Sequence, residues 1–299
     1  MKQIHIRIVV SNAKNQSMRK IRIAIIGIIG LSIISCQSKK SKSNSKSEYF
    51  TDSIYSKSLN EFRKHNIYLP KGFDKTKRYP IIYSTDGNEI KDSSFYQKTL
   101  DSLIQNNIIK PTILIKSYSN KKIADSSGTK GNGDKLYLAY RNFEYVNQYY
   151  SDIHSPKLAK RFENHMKYFT NELIPHVENK FDQKLNKGDR YFYGVSNGAG
   201  FGLSMLNSHP NTIGTYLCFS TFGGDIQTNS WNPKVNYPKL YLEYGSEEPF
   251  FLKEDADFLR TKYDELNLSA EVNEYNGGHD YKRWNEKFIE IISKELANE

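Results

Sequence analysis

A serine flanked by glycines, Gly194-Val195-Ser196-Asn197-Gly198, lies between an aromatic run (Tyr191-Phe192-Tyr193) and a small-residue stretch over 199–206. A strand that enters a helix through this pattern must turn sharply. The turn lifts the serine hydroxyl above the sheet edge and crowds the backbone, which glycines tolerate because they carry no Cβ. Such a serine can attack an acyl carbonyl if three conditions hold. A base must take its proton, a carboxylate must orient the base, and two backbone N–H groups must receive the oxyanion.

The base must be a histidine. His279 follows the last expected strand, in the glycine-rich loop Asn276-Gly277-Gly278-His279-Asp280 ahead of the terminal helix. That places it at the carboxyl edge of the sheet, beside Ser196. His209, in His209-Pro210, ends the helix that starts at the serine, roughly 20 Å away. His5, His65, His154, His165 and His176 read as surface or satisfied core residues. For the acid, the turn Gly245-Ser246-Glu247-Glu248-Pro249-Phe250 offers two carboxylates, and Asp225 in Gly223-Gly224-Asp225 is a third. Pro249 biases Glu248 toward extended backbone, which fixes the direction of its side chain. The oxyanion donors are expected to be the N–H of Asn197 and one from the turn Asp86-Gly87-Asn88, at Gly87 or Asn88. Asp86 reads as structural.

The elements that must position these groups alternate. Strands are expected over 61–69 (an edge strand), 79–84, 112–116, 190–195, 215–219, 239–244 and 270–275. Helices are expected over 94–105, 157–181 (one long helix, kinked at Pro175), 199–206, 254–266 and 280–296. Residues 117–136, rich in Ser, Gly, Asn and Lys, read as a surface loop. Strands alternating with helices give an α/β fold whose mostly parallel sheet is covered on both faces.

These residues resemble the putative-esterase branch of the α/β-hydrolases, which includes esterase D, siderophore esterases, feruloyl and acetyl xylan esterases, and mycolyltransferases. The resemblance runs over about residues 60–298. It rests on Tyr79-Pro80-Ile81-Ile82-Tyr83-Ser84-Thr85-Asp86-Gly87, Arg141-Asn142-Phe143-Glu144-Tyr145, the segment 194–198, and Gly278-His279-Asp280-Tyr281-Lys282-Arg283-Trp284. It implies an α/β-hydrolase fold and a Ser196, His279 and acid triad. The family often has Gly-x-x-Asp-x-Phe at the acid turn, which puts Glu248 on the Asp. Tyr281 stands where many members carry tryptophan.

The leader carries its own information. Met18-Arg19-Lys20-Ile21-Arg22 is a positive segment ahead of a twelve-residue apolar run, 23–34, too short to span a bilayer and suited to a signal peptide core. It ends in Ile33-Ile34-Ser35-Cys36, which looks like a lipoprotein box, so Cys36 is the expected lipidated residue. The domain reading is a signal peptide over 1–35, a Ser/Lys/Asn linker over 36–50, and an esterase domain over 51–299. The location expected from this is the cell envelope, at a membrane surface.

The net charge of +10 comes from 43 basic and 33 acidic residues, but ten of the basic ones precede Glu48 and no acid does. The body from Glu48 onward is balanced, which argues against a nucleic-acid partner. Only Cys36 and Cys218 are present, so no disulfide framework, CxxC pair or zinc spacing exists; Cys218 reads as a buried strand thiol. The serine chemistry needs neither cofactor nor metal. A lipid-anchored serine esterase is the leading reading, acting on a small-molecule or oligosaccharide ester such as an acylated polysaccharide or a siderophore. A non-catalytic binding lipoprotein on the same fold and an acyltransferase using the same triad are the alternatives.

Overall fold

The computed structural model describes residues 45–88, 92–147, 156–224 and 226–298. The leader, Cys36, most of the expected linker, His5, His154 and Asp225 lie outside the described residues. The strands are β1 Glu48–Ser56, β2 Glu61–Leu69, β3 Ile81–Ser84, β4 Ile113–Ser117, β5 Ile123–Asp125, β6 Leu138–Ala139, β7 Arg190–Val195, β8 Thr215–Phe219, β9 Lys239–Gly245 and β10 Ala270–Tyr275. The helices are α1 Asp92–Gln105, α2 Tyr140–Tyr145, α3 Pro156–Ala159, α4 Arg161–Lys167, α5 Ile174–Lys180, α6 Asn197–Ser208, α7 Phe250–Glu265 and α8 Tyr281–Glu295.

Among the described residues, eight strands form one sheet in the order β1-β2-β4-β3-β7-β8-β9-β10. The β1/β2 and β2/β4 pairs are antiparallel and the rest parallel. The chain builds outward from β3 in both directions, so the carboxyl ends of β3, β7, β8 and β9 open on one edge. Ligands of open α/β sheets bind at that edge, outside the strand ends.

Alternation along the central strands assigns each side chain to a face. Ile81, Tyr83 and Phe192 join α4, α5, α6 and α7 in one buried cluster, with Phe169, Phe201, Leu259 and Tyr263. Ile82, Tyr191 and Tyr193 point the other way, onto Tyr96 and Leu100 of α1 and Trp284, Phe288 and Ile292 of α8. The fold is thus the expected α/β-hydrolase layering: a mostly parallel sheet with helices on both faces.

Three sequence expectations change. The linker does not run to residue 50, because Glu48, Tyr49 and Phe50 already belong to β1, which pairs with β2 over nine residues and takes the edge position expected of 61–69. Long helix 157–181 is divided. Residues 168–173 form a π-helical segment, and Pro175 sits in the first turn of α5. Proline lacks the N–H for the i−4 carbonyl and its ring crowds that carbonyl, so the preceding turn widens. The loop 117–136 contains β5, which pairs with β6 in a small second sheet.

Two histidines read as satisfied are not. His65 and His165 are fully buried, and neither ring nitrogen of either has a hydrogen-bond partner. Burial holds the His65 imidazole far below its ordinary value, at about 4, so it is neutral near pH 7.

Cys218 lies on β8 and is fully buried, and burial pushes its thiol well above the ordinary range. In a Cys36→Ser protein, a colorimetric thiol reagent should therefore detect nothing in native buffer and one equivalent in guanidinium. Prompt reaction of the native protein would show that β8 opens on the assay timescale.

Candidate active site

Ser196 occupies the turn between β7 and α6 with φ 56° and ψ −128°, a left-handed conformation that costs an L-residue roughly 1–3 kcal/mol. Its surroundings leave the chain no alternative. A Cβ on Gly194 would stand 2.6 Å from the Gly198 carbonyl oxygen, and one on Gly198 would stand 2.2 Å from Thr85 Oγ1. The turn is tied down by the Ser196 N–H donating to Phe219 O (2.9 Å), and by the Ser196 carbonyl accepting from Gly200 and Phe222 N–H (3.1 and 3.2 Å). Asn197 is the first residue of the twelve-residue α6. Its N–H has no intrahelical acceptor and sits at the positive end of the helix dipole, which suits it to a developing oxyanion.

The turn after β3 supplies one fewer oxyanion donor than the sequence offered. The Gly87 N–H donates to Ser117 O at 2.8 Å, so it is committed to the fold and cannot receive an oxyanion. Gly87 is held there by a close approach, since a Cβ would fall 2.2 Å from Lys116 O. Asn88 is then the remaining candidate in that turn. Its side chain is clamped to Ser119: Oδ1 accepts from the Ser119 N–H (3.1 Å) and hydroxyl (2.8 Å), and Nδ2 donates to Ser119 O (3.1 Å).

Arg141, on α2, joins the two halves of this region. Its Nε and Nη2 donate to the two Asp86 carboxylate oxygens at 2.7 and 2.9 Å, while Nη1 donates to Asn197 Oδ1 at 2.7 Å. Its guanidinium also lies over the Tyr145 ring, 5.0 Å from the centroid. Burial alone would lower the guanidinium, but the adjacent Asp86 carboxylate outweighs it and holds the group above its ordinary value. The structural role read for Asp86 is therefore specific: with φ 56° it shapes the turn, and through Arg141 it fixes Asn197.

At the other side of the edge, His279 Nδ1 lies 2.6 Å from Glu248 Oε1. The Glu248 side chain is 1% exposed and the imidazole 49%. Glu248 Oε2 accepts from the Gly245 N–H at 2.8 Å. Burial would raise the carboxyl, but hydrogen bonds from His279, the Gly245 N–H and Ser220 outweigh it and hold Glu248 below the usual carboxylate range. Glu247 is exposed.

The sequence reading missed what holds this pair. Trp284 is buried, and its indole N–H is shared between Ser220 Oγ (2.8 Å) and the Tyr275 hydroxyl (3.1 Å). Tyr275 donates to Gly278 O at 3.0 Å, pinning the loop just ahead of the histidine. The His279 ring stands edge-on to Trp284 at 4.6 Å. Ser220 itself has φ 48°, directly after β8. The signal for Trp284 was its place five residues after His279 at the start of an amphipathic helix. Ser220 had none, because only strand order brings it beside Glu248.

A doubly covered parallel sheet that carries a strained serine at a strand-to-helix elbow is the architecture of the α/β-hydrolases. Residues 56–294 match the sequence profile of the putative esterase family, and the chain belongs to that family. It is accordingly a carboxylic ester hydrolase. Solved structures agree on the fold. A ferulic acid esterase superposes with a TM-score of 0.62 at 17% identity, covering 85% of this chain and 98% of its own. An IroE-like serine hydrolase from Shewanella oneidensis gives 0.61 at 16% identity (83% and 79%). The enterobactin esterase from Shigella flexneri gives 0.61 at 16% identity (83% and 59%).

Removing the Arg141 clamp should be costly, because it leaves the Asp86 carboxylate mostly buried without a cation. Arg141→Gln is expected to lose roughly 3 kcal/mol in urea unfolding. Arg141→Lys should recover only part of it, since an ammonium cannot bond both Asp86 oxygens and Asn197 in one plane. A loss below about 0.5 kcal/mol for the Gln variant would mean the clamp holds little.

Proposed function

We propose that this chain is a serine esterase in which Ser196 is the nucleophile, His279 the base and Glu248 the orienting acid. The observation that carries the reading is the 2.6 Å contact between His279 Nδ1 and Glu248 Oε1, on loops flanking the edge where the strained Ser196 turn emerges. An ionised Glu248 fixes the tautomer with the proton on Nδ1, leaving Nε2 as the lone pair that takes the serine proton. Ser196 Oγ attacks the ester carbonyl as that proton moves to Nε2, and the carbonyl oxygen becomes an oxyanion. The N–H groups of Asn197 and Asn88 receive it. Collapse expels the alcohol, which takes the proton from Nε2 and leaves the acyl on Oγ. Water, deprotonated by the same nitrogen, then releases the acid and restores the serine.

Two exposed aromatics favour a bulky substrate. Phe250 (74% exposed) follows the Glu248-Pro249 turn, and Tyr281 (57%) comes two residues after His279, its ring packed on Trp284 at 4.8 Å. Flat apolar surfaces beside the base suit an aromatic acyl group or a sugar ring. Acylated polysaccharide and siderophore esters are therefore the substrate classes we favour, at a membrane surface reached through an acylated Cys36.

Ser196→Ala should lower kcat by ~10⁴ or more and abolish labelling by a fluorophosphonate probe, with the far-UV circular dichroism unchanged. Full labelling of the variant would place the nucleophile elsewhere. Glu248→Gln should slow kcat strongly, while Glu247→Gln stays within a few-fold of the parent; the reverse order would refute the assignment of the acid. Turnover on feruloyl, acetyl-xylan and catecholate-ester substrates ranks the substrate classes. Cys36→Ser should move the protein from the membrane pellet to the soluble fraction; retention in the pellet would argue against a lipid anchor.

A further inference from the structure

The β1–β2 edge carries a cluster for which ester cleavage has no use. Asp52 on β1 and His65 on β2 are directly opposed in the antiparallel ladder. His176, on α5, comes over them. Asp52 Oδ2 is 3.8 Å from His65 Nε2 and 3.7 Å from His176 Nε2, and one donor atom from each residue lies within 4.8 Å of the other two. His65 is fully buried with neither ring nitrogen hydrogen-bonded, and His176 Nε2 is also buried and unpaired. Buried polar atoms left without partners are costly, and proteins rarely keep several in one place. The nearest cation is the Lys180 ammonium, 2.5 Å from Asp52 Oδ2, on a side chain that is 35% exposed.

We propose that Asp52, His65 and His176 form a binding site for a divalent first-row transition ion, with zinc the best match. A tetrahedral ion with ligand bonds of about 2.1 Å needs donors about 3.4 Å apart, so the two Asp52–His separations have to close by roughly 0.3–0.4 Å and the His65–His176 donor pair, within 4.8 Å, by at most roughly 1.4 Å. Two imidazoles and one carboxylate are the donors of zinc and its neighbours, and they suit magnesium or calcium poorly. The ammonium of Lys180 holds Asp52 Oδ2 and moves outward to solvent when the ion binds. Water completes the fourth position. The ion ties β1, the edge strand among the described residues, to β2 and to α5.

Chelator-treated parent protein, titrated with zinc by calorimetry and with cobalt(II) by visible absorption, should bind one equivalent and unfold at a higher temperature. Cobalt should give the intense d–d bands of a four-coordinate site. His176→Ala and Asp52→Asn, both at partly exposed positions, should each weaken binding at least about tenfold. Lys180→Gln should strengthen it by roughly fivefold, since a competing positive charge is gone. Ser196→Ala should bind zinc as the parent does, which separates this site from the esterase assignment. Failure of the parent to bind, or equal binding by the His176 and Asp52 variants, overturns the proposal. Weaker binding by Lys180→Gln overturns the displacement of the ammonium.

Discussion

The backbone crossing at Ser196 is the constraint on which the rest of the site depends. β7 must end, reverse direction and start α6 within one residue, and that residue has to adopt φ 56°. The reversal is accommodated only because Gly194 and Gly198 let the two arms approach, and because Thr85, at the end of the neighbouring β3, fills the space beside Gly198. The strain is held by the sheet itself, through the Ser196 N–H on Phe219 O. A helix starting there delivers an unpaired N–H at Asn197 with the favourable end of its dipole. One turn therefore provides both a protruding hydroxyl and an N–H at the positive end of a helix dipole.

What surrounds the elbow consists mostly of cross-ties between elements far apart in the chain. Arg141 connects Asp86 to Asn197 and so fixes the turn after β3 against the start of α6. Behind it, Glu144 is fully buried and accepts from both Arg63 of β2 and Arg161 of α4. Such a group is costly to desolvate and is tolerated only when its lone pairs are fully satisfied. Its value here is positional: α2, which carries Arg141, is anchored at both ends of its short length.

The second half of the site depends on an apolar side chain with one polar atom. Trp284 packs in the α1/α8 cluster, and its indole N–H reaches Ser220 and Tyr275. Through them it touches both the loop that carries His279 and the carboxylate that contacts it. Glu248 thus sits in a place dry enough to strengthen each hydrogen bond, yet with enough donors to remain ionised. The imidazole remains half exposed, so one part of the pair is rigid and the other is open to the edge.

Local rules were legible in the sequence. Crowding at the elbow requires glycines at fixed offsets from the serine, and buried parallel strands read as apolar runs such as Ile81 to Tyr83, so the fold class follows from residue types alone. The edge strand β1 was hidden, because half of its side chains are polar and it begins inside the serine- and lysine-rich tract. The contact of Glu248 with His279 and the engagement of the Gly87 amide with Ser117 needed the tertiary structure. So did the meeting of Asp52, His65 and His176. In each of these, the deciding partner lies on a distant segment of the chain, and its distance is set by sheet order and register. Spacing along the chain carries steric information over a few residues; pairing across the sheet is determined only when the whole core packs.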